Sequence, residues 1–280
     1  MSIQFSSVLS THSRGQPGLF SVKSVDLKKA GIEKTSPIIV IDDFRVKGRP
    51  FPPHPHAGFS ANTYVFRDSA GGLRSRDSLG GDIVVGPGGI VWSQSGGGML
   101  HEEMPDNPER ELHGLQFFVN LSSKYKLTAA EVLHLDGHQV PVWKNEAGDH
   151  VYAVIGSYGD TPSPLVTAEP FTLLDVELRS SIKFDLPNGH HATVYVVGGD
   201  VLVGANGQEK ILSNQQAVVL SGNGPVTFNT LRRAHFVILS GAEIREPVVS
   251  VGPFIMNSQA QIDDANRRYR SGQMGHLDPA

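Results

Sequence analysis

Short apolar runs, each closed within a few residues by glycine, proline, asparagine or aspartate, recur along most of the chain. SPIIVIDDF (36–44), ANTYVF (61–66), DIVVGP (82–87), GIVWSQ (89–94) and LHGLQFFVNL (112–121) have the β-branched and aromatic content of strands. DSAGG, PGG, SGGG and PDNPE lie between them, where Gly supplies positive φ and Pro presets a turn. The 31 Gly and 18 Pro collect in such clusters, so the chain predicts a closely spaced antiparallel meander and an all-β class.

With 280 residues, two domains of ordinary size fit better than one. Around 122–170 the rhythm loosens into polar, turn-rich sequence before strands resume in PFTLLDVEL, SIKFDLP, ATVYVVGGDVLVG, QAVVLS, PVTFN and HFVILSG. This places a boundary near 135–150, giving domains 1–140 and 141–280. HPHAGFSANTYVF and GHHATVYVVGGDVLVG share the order of histidines, strand and Gly-rich turn, which suggests a degenerate internal duplication. The tail NSQAQIDDANRRYRSGQ predicts one helix, capped by Asn257 or Ser258, with Ile262, Ala265 and Tyr269 on one face.

A net charge of -4 without a dense Lys/Arg run gives no footprint for direct nucleic-acid binding. The absence of Cys leaves His and carboxylate as the strong metal ligands. MSIQFSSVLSTHSRG lacks the pattern of a signal peptide, and no apolar run reaches bilayer length, so a cytoplasmic protein without membrane association is expected. Two domains that cover part of each other's surface make a monomer the default.

Chemistry concentrates in PPHPHAGF and MLHEEMP. Alternation along a strand sends His54 and His56 to one side, and likewise His101 and Glu103, so two neighbouring strands can converge four ligands. Imidazole suits iron, zinc, copper and nickel, and three imidazoles with a carboxylate leave one or two positions for water, substrate or dioxygen. A closed structural zinc site is possible with the same four residues. With 12 His in the chain one HxH is unremarkable; HxH and HxE together point to metal.

HPHAGF, GGIVWSQSGGGMLHEEMP, LHGLQFFVNL and GPFIMNS, in this order and over essentially the whole chain, resemble the pirin family of the cupin superfamily. The resemblance implies two antiparallel β-barrel (cupin, jelly-roll) domains. It also implies one divalent metal in the N-terminal barrel, held by the residues matching His54, His56, His101 and Glu103, with a C-terminal barrel that has lost its metal. Iron(II) is the metal it implies; zinc, manganese, nickel, cobalt and copper are compatible with the donors. The last helix is expected to pack back on the first domain. Where the family usually has Arg-Gly-Phe-Glu after HxH, this chain has Ala57-Gly58-Phe59-Ser60, and Ser75-Arg76-Asp77-Ser78 replaces a segment that tends to carry a His. These departures bear on substrate preference more than on metal binding.

The same resemblance implies a dioxygenase that opens a flavonol such as quercetin, with dioxygen as co-substrate; in that role Glu103 is the candidate catalytic base, since a ligating carboxylate that shifts off the metal can accept the flavonol hydroxyl proton. The alternative is an iron-dependent redox sensor that binds a protein partner, a transcription factor or metabolic enzyme. A third is an isomerase or other small-molecule enzyme on the same scaffold.

Phe51, Phe59, Trp92 and Met104 are either an apolar mouth for a flat substrate or barrel core. His113 or Gln116 can reach the cavity through the alternation of LHGLQFFVNL. His190 and His191 are strand neighbours that face opposite ways and have no HxE downstream, and His235 stands alone, so no second metal site is expected there. SQSGGGML lacks the Lys-Ser/Thr of a phosphate loop and reads as a turn that lets the chain approach the site closely.

Overall fold

A computed structural model describes residues 2–280. The chain divides into two compact units, each assembled from three segments. Residues 13–22, 40–139 and 244–280 form the earlier unit, and residues 1–12, 23–39 and 140–243 the later one. Continuous halves divided at 140 would place three of these segments otherwise.

In the earlier unit one sheet runs Glu131–Leu135, Ile90–Gln94, Phe59–Val65, Leu112–Asn120, Ile38–Val46 in spatial order. A second, antiparallel sheet runs His54–His56, Met99–Pro105, Leu73–Asp77, Asp82–Val85. Val46, Val65, Val91 and Leu112 from the first sheet pack with Leu73 and Val85 from the second. The unit is therefore a sandwich of two sheets over one apolar core. The strands fall on the predicted runs, because β-branched residues pack well on a half-buried pleat and the Gly and Pro clusters end each run.

The later unit repeats the architecture. Gln216–Ser221, His190–Gly198, Ala234–Ala242, Phe171–Leu178, His150–Ile155 and Val142–Lys144 form one sheet, and Ser181–Leu186, Gly224–Asn229, Asp200–Ala205 and Gln208–Ser213 the other. Their core includes Val151, Leu174, Val194, Val203, Phe228 and Phe236. Gln4–Phe5 pairs with Gln216–Ser221 and occupies backbone groups that an edge would leave open, which is how the first residues come to belong here. In both units the sheets are hydrogen-bonded internally and stacked; they form jelly-roll sandwiches of the cupin type, not fully closed rings.

The tail forms a helix, Gln259–Arg270. Ser258 is the cap of the two candidates: its Oγ accepts the Gln261 N–H at 3.3 Å. Arg267, Arg268 and Arg270 occupy the last turn, where cations complement the helix dipole. Ile262 and Ala265 are buried against Ala57, Phe254 and Met256, all in the earlier unit, while Tyr269 is 42% exposed. Two single turns, Leu27–Ala30 and Ile32–Thr35, were not foreseen from the strand pattern.

Candidate metal centre

The three-residue strand His54–His56 pairs antiparallel with Met99–Pro105, and His54 stands directly opposite His101 in the register. His56 reaches the same side because the period of a strand is two. The three imidazole rings lie with centroids 4.7–4.8 Å apart, and one nitrogen of each falls within 4.8 Å of the other two. His54 is half-buried, while His56 and His101 are 6% and 1% exposed.

The hydrogen bonding of these rings is unusual for buried histidines. Both ring nitrogens of His56 and both of His101 have no hydrogen-bond partner among the described residues, whereas buried polar atoms are ordinarily satisfied. Burial, and then the charge of His54, push the His56 pKa down to about 3, with the Pro253 carbonyl working weakly the other way outside hydrogen-bonding geometry. Burial likewise holds His101 well below the usual range, reinforced by His56 and His54. His54 Nδ1 donates to the Pro52 carbonyl at 2.9 Å, a contact that requires the proton on Nδ1, so that in the neutral ring Nε2 carries the lone pair. Three imidazoles converging from three sides, two of them held neutral by burial, are the donor set a divalent metal requires, so the histidine triad can hold a metal ion.

Glu103 lies two residues beyond His101 on the same strand face and lines the same cavity, but its carboxylate falls outside the group of three. Thr63 Oγ1 donates to Glu103 Oε2 at 2.6 Å, while Oε1 is buried without a partner among the described residues. Burial raises the Glu103 pKa to about 7, the Thr63 hydrogen bond opposing it. Thr63 shares the inward face of its strand with Phe59, whose ring stands 5.0 Å from that of His56. Alternation from Phe59 would have located it.

A cavity of about 130 Å³ opens onto His54 and Glu103. His54, Glu103, Gln116, Asp42 and Arg14 supply its polar lining and Val22, Phe44, Val46, Phe51, Leu73 and Leu112 its apolar walls. Of the four apolar candidates only Phe51 lines it; Phe59, Trp92 and Met104 are core, at most 2% exposed. Gln116 takes the cavity position because it stands opposite Thr63 in the register. Its neighbour in the choice, His113, faces the other way, with Nε2 3.1 Å from Asp43 and Nδ1 2.7 Å from Asp68. Arg14 and Asp42 went unnoticed in the sequence, since nothing local ties residue 14 to a strand near residue 42.

The departures from the family pattern now have places. Ala57 is fully buried and bridges to Phe254 beneath the tail; Ser60 faces away from the side of its strand that carries Phe59 and Thr63; Ser75 stands opposite Glu103 in the register. Of the three, only Ser75 borders the site. In the later unit His190 and His191 begin a long strand of the large sheet, unlike the separate HxH strand, so the two histidine motifs do not correspond in position. His235 hydrogen-bonds the buried Asp175 at 2.6 Å.

Two jelly-roll sandwiches, one bearing a histidine triad on paired strands, define a bicupin. The chain belongs to the pirin family: residues 18–119 match the family described as Pirin, and residues 173–275 the Pirin C-terminal cupin domain. Human Pirin is 32% identical over 250 residues, covering 87% of this chain and 84% of that protein. A crystal structure of quercetin 2,3-dioxygenase from Acinetobacter baumannii superposes with a TM-score of 0.85 at 26% identity, covering 98% of this chain and 99% of that one. A bacterial pirin from Escherichia coli in complex with nickel(II) shares the fold, with a TM-score of 0.65 at 16% identity over 86% of this chain and all of that chain.

Proposed function

We propose that this chain is a metal-dependent flavonol 2,3-dioxygenase, with iron(II) held by His54, His56 and His101 and with Glu103 as fourth ligand and proton acceptor. The observation that carries the reading is the set of buried ring nitrogens of His56 and His101 without partners among the described residues, in a triad whose third member, His54, lines a largely apolar cavity. The likeness to the Acinetobacter baumannii enzyme supports the substrate class. When bound, the metal would polarise the hydroxyl–ketone edge of a flavonol and bring dioxygen beside it.

The chain's own groups do the rest. Pro52 fixes the His54 tautomer, so Nε2 is presented without rearrangement. Thr63 holds one Glu103 oxygen and leaves Oε1 to accept the flavonol hydroxyl proton. Phe44, Phe51 and Leu112 offer a water-poor slot for a flat ring system.

Metal analysis of the purified protein beside His56→Ala and His101→Ala, with oxygen uptake on adding quercetin recorded on the same samples, tests the reading. The wild type is expected to carry about one metal per chain and both variants to lose metal and uptake together. Metal without uptake would shift the reading to the redox-sensing role, and no metal at all would refute the site.

A further inference from the structure

The strand Ile38–Val46 contributes to the cavity a polar group that the proposed reaction leaves unused. Asp42, Phe44 and Val46 face inward, while Asp43 turns to His113 on the other face, as the period of two requires. Asp42 is only 6% exposed. Its Oδ2 accepts a hydrogen bond from Arg14 at 2.9 Å, which orients the carboxylate on the cavity wall. A carboxylate held in this way on a cavity wall is placed to accept a hydrogen bond from a donor inside the cavity.

The donor can be placed. Ile38–Val46 lies two strands from Phe59–Val65, where Thr63 holds Glu103, with the strand that bears Gln116 between them. Two strand spacings are about 9–10 Å, the span of a rigid bicyclic or tricyclic molecule. Arg14, with its side chain 54% exposed, and Phe51, 39% exposed, mark the opening. Glu103, Gln116 and the Asp42–Arg14 pair thus form a polar line across otherwise apolar walls.

We propose that Asp42, positioned by Arg14, is a second polar subsite that selects flat aromatic substrates carrying a hydroxyl on the ring remote from the metal-binding edge. The phenolic O–H donates to the Asp42 carboxylate. This rests on the flavonol reading for its substrate class, and its test separates the two.

The metal-loaded full chain is titrated without oxygen with quercetin and with galangin, the same flavonol lacking the pendant-ring hydroxyls, and oxygen uptake is then measured on the same samples. Wild type is expected to bind quercetin about tenfold more tightly, as one hydrogen bond to a charged acceptor gives. Asp42→Asn should remove that preference while leaving galangin affinity unchanged, and Phe51→Leu should weaken both ligands equally. A wild-type preference below about threefold overturns the proposal without recourse to any variant, as does an undiminished preference in Asp42→Asn or the failure of both flavonols to bind. Selective binding without oxygen uptake sustains the subsite and sinks the dioxygenase reading; uptake without selectivity does the reverse.

Discussion

Glu103 and His113 occupy opposite faces of the earlier sandwich's sheets and respond to burial in opposite ways. Glu103 has one neutral donor, Thr63, so burial dominates and its charged form is disfavoured. Glu103→Gln is expected to lower turnover about a hundredfold while oxygen uptake remains measurable. Full turnover with metal retained would remove Glu103 from the chemistry, and loss of metal would mark it as a ligand first. At His113 burial lowers the pKa, but Asp43 and Asp68 together outweigh it and leave the pKa raised. A raised folded pKa stabilises the fold fully below the ordinary value of about 6.5, and that contribution is lost as pH rises through the folded value. The difference in Tm between wild type and His113→Gln should therefore be largest near pH 5–6 and shrink toward pH 9; a constant difference would contradict the pairing.

At the scale of elements, the turn after HxH is held by contacts that only its conformation allows. Gly58 has φ +85°, and a Cβ there would sit 1.9 Å from the Ile255 carbonyl oxygen, so only glycine lets the His54–His56 strand lie against the hairpin before the C-terminal helix. Lys126, wholly buried, donates through Nζ to Gly58 O at 2.8 Å, Asn120 Oδ1 at 2.6 Å and Ile255 O at 3.0 Å. It joins the ligand strand, the sheet and the tail at one point. Lys126→Met would strand three buried acceptors at a cost of about 3 kcal/mol, measured as a lower denaturation midpoint at unchanged slope. A shift under about 1 kcal/mol would show that water replaces the ammonium.

For the whole molecule, the discontinuity of both units sets the expectation that neither half folds by itself. Residues 1–139 lack Ile244–Ala280, and with it the residues that cover Ala57; residues 140–280 lack Gln4–Phe5, which pairs with Gln216–Ser221 on the side away from His190–Gly198. Expressed separately, both fragments should melt without a cooperative transition, and a sharp transition in either would contradict this. The all-β class, most strands of the earlier unit, the helix with its cap and the histidine triad were legible in the chain, because alternation and turn residues are local properties. HxH and HxE also announced which side chains share a strand face. Register and sheet order are not local. They decided that His54 meets His101, that Gln116 and not His113 enters the cavity, and that Glu103 stands apart from the three rings. They also brought Arg14 and Asp42 to the same wall and gave the first and last segments to the units that are distant in sequence. The sequence by itself determined which groups could bind metal and what kind of sheet would carry them; only the tertiary structure decided which of them converge, because hydrogen-bond pairing between strands far apart in sequence carries no signal in either strand alone.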